Sequence, residues 1–134
     1  MRRLVRSVAF AMILLYITLS KLVDAAAASH PPFKIRCTCY YYNSGATAAG
    51  TTPQEGLTVA GKPEWIGKGC KLYRVNSDGS KGSLIGFYKF LDTGGELIKS
   101  GKRIDVYRND LDSCNDWISK YGDYVYLEIV EGQQ

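Results

Sequence analysis

Residues 124–130, near the end of the chain, alternate between aliphatic and other side chains with a period of two. Val125, Leu127 and Ile129 would therefore fall on one face of a β-strand. Five earlier segments have the same β-favouring composition, with turn residues between them: 34–41, 57–60, 70–75, 83–91 and 102–107. Several short strands separated by many turns predict a mainly β protein that forms a small closed barrel.

One short helix is predicted between the last two strands. Asn109 or Asp110 can cap its N-terminus, and Gly122 is a stop signal. Its apolar positions recur at helical spacing, at Leu111, Cys114 and Ile118.

The N-terminus has the pattern of a secretory signal peptide. Arg2, Arg3 and Arg6 precede an uncharged apolar run at 8–19, and small residues follow at 25–28. The run is shorter than the roughly 20 apolar residues that a membrane-spanning helix needs. The sequence thus predicts a signal peptide at 1–28, a flexible segment at 29–34, and one domain at 35–131 in a secreted, extracytoplasmic protein. An uncleaved N-terminal anchor is the alternative, and it would be the protein's contact with the membrane.

The positive charge of the chain belongs largely to this signal. The full sequence has 17 Lys and Arg against 13 Asp and Glu, and residues 29–134 retain 13 against 12. Nucleic-acid binding requires a basic excess that such a domain lacks. We therefore expect no nucleic-acid partner.

All four cysteines lie after the predicted signal, which indicates disulfides in an exported domain. Cys37 and Cys39 share one face of a predicted strand and are too close in sequence to pair with each other. Each should pair with Cys70 or Cys114, and the sequence leaves both connectivities open. A four-cysteine zinc site is the competing interpretation, but the spacing has no paired C-x-x-C motifs. No metal site is expected.

Candidate catalytic groups are few. The sole histidine, His30, lies near the predicted cleavage site, and no phosphate-binding glycine loop is present, so no cofactor is expected. Asp92 opens an Asp-Thr-Gly-Gly motif at a strand end, and Asp105 lies opposite the aliphatic face of its strand. Considered singly, an Asp before Gly-Gly is most often a turn residue, and an Asp on a strand surface is most often solvated.

The order of motifs along residues 35–130 resembles the three-aspartate (3D) domain of bacterial cell-wall proteins. This domain is similar to part of the membrane-bound lytic transglycosylase A family. The matching pieces are C-T-C-Y-Y (37–41), A-T-A-A-G (46–50), V-A (59–60), I-G-K-G-C-K-L-Y (66–73), F-L-D-T-G-G (90–95), K-S-G-K-R-I-D-V-Y (99–107) and Y-G-D-Y-V-Y-L-E-I-V (121–130).

The resemblance implies a six-stranded double-psi β-barrel that cleaves peptidoglycan glycan strands at the cell wall. Asp105 matches the catalytic acid and Asp92 the second aspartate of the same groove. Substrate contacts are expected from Thr93, Gly94, Gly95, Tyr40 and Tyr107 in a monomeric protein. At the position of the family's third aspartate this chain has Lys62, and the Asp92–Asp105 segment is about two residues longer, with the extra residues around 96–101.

Two other functions fit parts of the sequence. Asp-Thr-Gly also opens the catalytic loop of aspartic proteases, which need two such loops, so this chain would have to act as a homodimer. Double-psi barrels related to expansins and barwin bind polysaccharide with little or no cleavage. A non-catalytic module that binds a polysaccharide or a partner protein is therefore the main alternative.

Overall fold

Six strands make up the body of the protein in the computed structural model, which describes residues 30–41 and 45–131. They are β1 (Phe33–Tyr40), β2 (Thr58–Ala60), β3 (Gly69–Val75), β4 (Lys81–Asp92), β5 (Arg103–Tyr107) and β6 (Tyr124–Val130). Each predicted strand is present, with its ends moved by at most two residues. Because Phe33 and Lys34 pair with β6, β1 begins inside the segment predicted to be flexible, 29–34. The predicted signal peptide, 1–28, lies outside the described residues.

The strands close into a barrel in the order β1-β5-β2-β4-β3-β6. The β1–β5 and β2–β4 pairs are parallel, and the other four pairs are antiparallel. The prediction of a mainly β, six-stranded closed barrel is confirmed. Closure gives every strand two neighbours, so the described sheet has no unpaired edge.

The barrel interior is filled by the alternating aliphatic and aromatic positions of the strands. On β6, Val125 and Leu127 are completely buried and Ile129 is 8% exposed, as the period-two pattern predicts. Each such side chain contributes roughly 1.5–3 kcal/mol when it is fully buried. The largest fully buried side chains come from all six strands and from the segment after β4: Phe90, Leu72, Ile98, Ile104, Leu127, Val59, Val106, Val125, Thr58, Cys37 and Cys70.

Two α-helices are present in the described residues, so the prediction of a single helix is wrong. The predicted one, α2 (Leu111–Tyr121), is capped by Asp110, whose side chain accepts a hydrogen bond from Ser113 N at 2.8 Å, and it ends at Gly122 with φ of 72°. The additional helix, α1 (Glu96–Lys99), is one turn that buries Ile98. Four residues are too few to show a helical period in a sequence. Within the described residues no helix is long and apolar enough to cross a membrane.

One disulfide joins the end of β1 to α2, between Cys39 and Cys114. Cys37 and Cys70 are free thiols, so the expectation that all four cysteines pair is wrong. Both thiols lie in the barrel core, at 1% and 2% exposure, where they pack as small apolar side chains. Burial raises the pKa of Cys70 to about 12 and that of Cys37 further, which keeps both sulfurs protonated.

Candidate functional site

Two carboxylates flank strand β2 at one end of the barrel. Ala60, the last residue of β2, pairs with Asp105 of β5 on one side and with Asp92 of β4 on the other. Adjacent strands are about 4.8 Å apart, so the two aspartates are held about 10 Å apart at their Cα atoms. Ala60 is 3% exposed, and its short side chain leaves space between the two acids.

A bulge in the β2–β4 pairing sets the position of Asp92. Val59 pairs with Phe90, but the next residue, Ala60, pairs with Asp92, so Leu91 is the extra residue. Phe90 and Leu91 are both buried despite being consecutive, as expected where a bulge interrupts the alternation. The bulge therefore lets Asp92 turn toward the cavity at the strand end.

The acids line a cavity of about 330 Å³. Its walls are Tyr40, Ala46, Ala60, Asp92, Thr93, Gly94, Gly95, Ile98, Arg103 and Asp105. The structure thus brings together six of the seven site residues predicted from the sequence. The seventh, Tyr107, is absent from these walls and packs edge-on against Tyr40, with ring centroids 5.4 Å apart.

Asp105 occupies a partly buried position on the outward face of β5. Thr38 of β1 donates a hydrogen bond from Oγ1 to Asp105 Oδ1 at 2.8 Å. The other carboxylate oxygen, Oδ2, accepts no hydrogen bond from the described residues. Desolvation raises the pKa of Asp105, and the nearby Asp92 carboxylate raises it further, whereas Thr38 and Arg103 act in the opposite direction. The net rise in pKa makes this carboxyl group easier to protonate than an ordinary aspartate, and Oδ2 is the oxygen at which a proton can be added.

Asp92 has a different environment, in which both of its oxygens accept hydrogen bonds. Tyr40 OH donates to Oδ2 at 3.0 Å, and the backbone N–H groups of Ala48 and Thr93 each donate to Oδ1 at 3.0 Å. The adjacent Ala49 N–H bonds to Leu91 O at 2.9 Å. Asp92 therefore fastens the loop around Ala48 to the cavity wall.

Tyr40 connects the acidic and aromatic parts of the site. Burial raises the pKa of its phenol, and the neighbouring Asp92 charge raises it further. The hydroxyl therefore remains a donor to Asp92, and the ring stays in contact with Tyr107. An amphipathic ring held by its polar end is suited to contact the apolar face of a ligand.

Glycines shape the backbone around Asp92. A Cβ atom on Gly61 would lie 2.5 Å from the Phe90 ring, and Gly61 N–H bonds to Asp92 O at 3.0 Å. A Cβ atom on Gly94 would be 3.3 Å from Ile98, whereas Gly95 has open space around it. Close packing thus requires glycine at 61, while Gly95 is free to serve as the N-cap of α1.

The segment between the two aspartates contributes Ile98 to the cavity wall. It consists of α1 and a turn at Gly101, whose φ is 76°. Lys62 forms an ion pair with Glu64 at 3.7 Å in which both side chains are substantially exposed. It is not among the residues that line the cavity.

Sequence reasoning missed Thr38, Ala60, Arg103, Ala46 and Ile98. The alternation of β1 places Thr38 on the same face as Tyr40, and this signal was available. The contact of Thr38 with Asp105 depends on the parallel β1–β5 pairing, for which the local sequence has no signal. Thr93 Oγ1 and Arg103 Nε, from two wall residues, are buried without a hydrogen-bond partner in the described part of the chain.

The alternative of a four-cysteine zinc site is inconsistent with the Cys39–Cys114 bond, which uses two of the four thiolates. Within residues 30–41 and 45–131, no group of three His, Cys, Asp or Glu is placed to hold a metal ion.

No protein-family model matches the chain, and no curated protein matches it. The fold and the site together define a closed β-barrel with a carboxylate-containing cavity beside a pair of tyrosines.

Proposed function

We propose that this protein is exported to the cell wall and cleaves the glycan strands of peptidoglycan, with Asp105 as the acid. The observation that carries the proposal is the state of Asp105. Its pKa is raised mainly by burial, Thr38 fixes one carboxyl oxygen at 2.8 Å, and the other oxygen accepts no hydrogen bond from residues 30–41 or 45–131. A general acid near neutral pH requires a raised pKa of this kind.

The reaction we propose is that of a lytic transglycosylase. Asp105 Oδ2 gives its proton to the leaving glycosidic oxygen, and the C6 hydroxyl of muramic acid attacks the oxocarbenium-like C1. The same carboxylate then accepts the hydroxyl proton, and a 1,6-anhydro product forms. No second carboxylate is needed as a nucleophile, unlike the usual pair of glycosidase acids. This agrees with the positioning role of Asp92, whose oxygens are already occupied by donors.

Substrate binding follows from the other cavity residues. Tyr40 and Tyr107 offer an aromatic surface for a sugar ring, and Thr93, Gly94 and Gly95 form a wall from which little side-chain bulk projects.

We further propose that the barrel has double-psi topology and that the protein acts as a monomer after cleavage of residues 1–28. Two parallel strand pairs within one six-stranded barrel support the topology.

A second candidate function is glycan binding without cleavage. The observation that favours it is that the carboxylate of Asp92 already accepts structural hydrogen bonds. If Lys62 replaces the third aspartate of the family that the sequence resembles, Asp105 is the one acid available for catalysis. Such a module would hold a polysaccharide, or a partner protein, in the same cavity.

The test is incubation of the purified protein with peptidoglycan, followed by mass spectrometry for 1,6-anhydromuropeptides. Asp105→Asn should reduce release by about 10²–10⁴-fold while binding persists, because general acid catalysis contributes that much and the amide still accepts the Thr38 hydrogen bond. The matched control is Asp116→Asn on the exposed surface of α2, which should leave release unchanged. Binding without release by the wild-type protein would establish the second candidate, and absence of binding would eliminate both.

A further inference from the structure

A second cavity, of about 440 Å³, lies beside the carboxylate cavity and has a basic lining. Arg103 lines both cavities, so the two are adjacent. Four of its nine lining residues are cations: Lys34, Arg36, Lys102 and Arg103. The other five are mostly apolar or aromatic: Phe33, Ile35, Leu97, Gly101 and Tyr124. We call this second cavity the basic groove.

The parallel pairing of β1 with β5 places the basic groove in line with the acid. Arg36 is paired with Arg103, the next outward pair is Thr38 with Asp105, and the next is Tyr40 with Tyr107. Residues two apart on a strand are separated by about 7 Å. The outward face therefore changes from cationic to acidic to aromatic within about 14 Å. This distance is longer than one sugar ring and corresponds to a few linked sugar units.

The cations of the groove form no close ion pair with the described residues. No ion pair in this part of the chain includes Lys34, Arg36, Lys102 or Arg103, although Arg103 lowers the pKa of Asp105. Lys34 Nζ lies 5.1 Å from the ring centre of Tyr124. Like charges on directly paired residues are unfavourable, so Arg36 and Arg103 would be stabilised by an anion between them.

We infer that the basic groove is a subsite for a carboxylate carried by the polysaccharide, and that the protein therefore selects acidic over neutral glycans. This inference depends on the proposed glycan binding and specifies its substrate class. Guanidinium groups match the planar carboxylate, while Phe33, Leu97 and Tyr124 provide apolar walls for the ring or alkyl group that bears it.

The experiment compares two ligands that differ only in charge. Glycan strands stripped of peptides retain the lactyl carboxylate of each muramic acid, and carbodiimide-mediated amidation of the same strands removes the charge. Binding is measured by calorimetry at low salt, where screening is weakest, in the Asp105→Asn background so that the strands are not cleaved. The groove variant is Lys34→Gln/Arg36→Gln. Its control, Lys71→Gln/Lys81→Gln, also removes two positive charges and lysine–ring contacts, but on β3 and β4.

We expect amidation to weaken binding about tenfold, and the groove variant to do the same, because each removes partly screened charge contacts. Amidation should then have little further effect on the groove variant, since both changes remove one interaction. The control variant should bind like the unmodified protein. Lys102→Gln, a change outside the strands, should weaken binding in the same direction even if the double variant does not fold.

Equal affinity for charged and amidated strands would overturn the carboxylate subsite while leaving glycan binding intact. An amidation effect that persists in the groove variants would also overturn it, because the carboxylate would then be bound elsewhere. Absence of binding to either strand would instead refute the proposed function. Competition by acetate and by inorganic phosphate separates two anion classes: stronger competition by acetate is expected, and competition by phosphate alone would contradict the carboxylate assignment.

Discussion

Removal of the Cys39–Cys114 disulfide is expected to lower the free energy of unfolding by about 4.5 kcal/mol at 25 °C. The two cysteines are 75 residues apart, and closing a loop of that length removes about 15 cal/mol/K of entropy from the unfolded chain. The proposed change is Cys39→Ala/Cys114→Ala. Because small domains have a total stability of roughly 5–15 kcal/mol, the variant should be marginally folded.

Urea denaturation followed by tryptophan fluorescence measures this loss, because Trp117 is buried beside Cys114 on α2 and Trp65 packs on the core. With an m-value of about 1–1.5 kcal/mol per M, the midpoint should fall by about 3–4.5 M urea. Reductant should lower the wild-type midpoint equally and leave the double variant unchanged.

The matched control is Cys70→Ala, which removes a buried free thiol and should retain the full sensitivity to reductant. Thiol titration of the unfolded, unreduced protein should give two free thiols. Four free thiols, or none, would contradict the observed pairing. A reduced wild-type protein that keeps its midpoint would refute the loop-entropy reasoning.

Three further predictions concern the site and its supports, each measured by urea denaturation. The folded-state pKa of Asp105 is raised, so the native state binds more protons than the unfolded state, and stability falls as pH rises between the two pKa values. Asp105→Asn should therefore stabilise the protein by about 0.5–2 kcal/mol at neutral pH. A difference in stability between the variant and the wild type that does not disappear at low pH would contradict this. Gly61→Ala should cost about 1–3 kcal/mol because its Cβ would meet the Phe90 ring, while Gly95→Ala, with open space, should cost less; equal losses would refute the packing argument. Asp110→Ala should cost about 1 kcal/mol by removing the α2 cap, and an unchanged midpoint would show that the cap contributes nothing.

The strands could be predicted from the sequence because their signals are local. The alternation of residues 124–130 and the cap at Asp110 each depend on side chains a few positions apart. The same alternation placed Asp105 opposite the aliphatic face of its strand, and Asp105 is partly exposed in the structure while Ile104 and Val106 are completely buried.

The assembly of the site could not be predicted in the same way. Asp92 and Asp105 line one cavity because β2 lies between β4 and β5, and Thr38 reaches Asp105 because β1 and β5 are parallel. These pairings join residues far apart in the chain, so no local period encodes them. The choice of Cys114 over Cys70 as the partner of Cys39 likewise follows from where α2 packs against β1.

The order of strands in the barrel also determines when the domain can fold. The first strand, β1, has only the two latest strands, β5 and β6, as neighbours, and β3 needs β6 as well as β4. Such distant contacts form slowly, because a long loop must close before they contribute any stability. During synthesis from the N-terminus, β1 therefore stays unpaired until β5 and β6 have been made. A chain that is shortened before Tyr124 lacks β6, so β1 and β3 each have one unpaired edge.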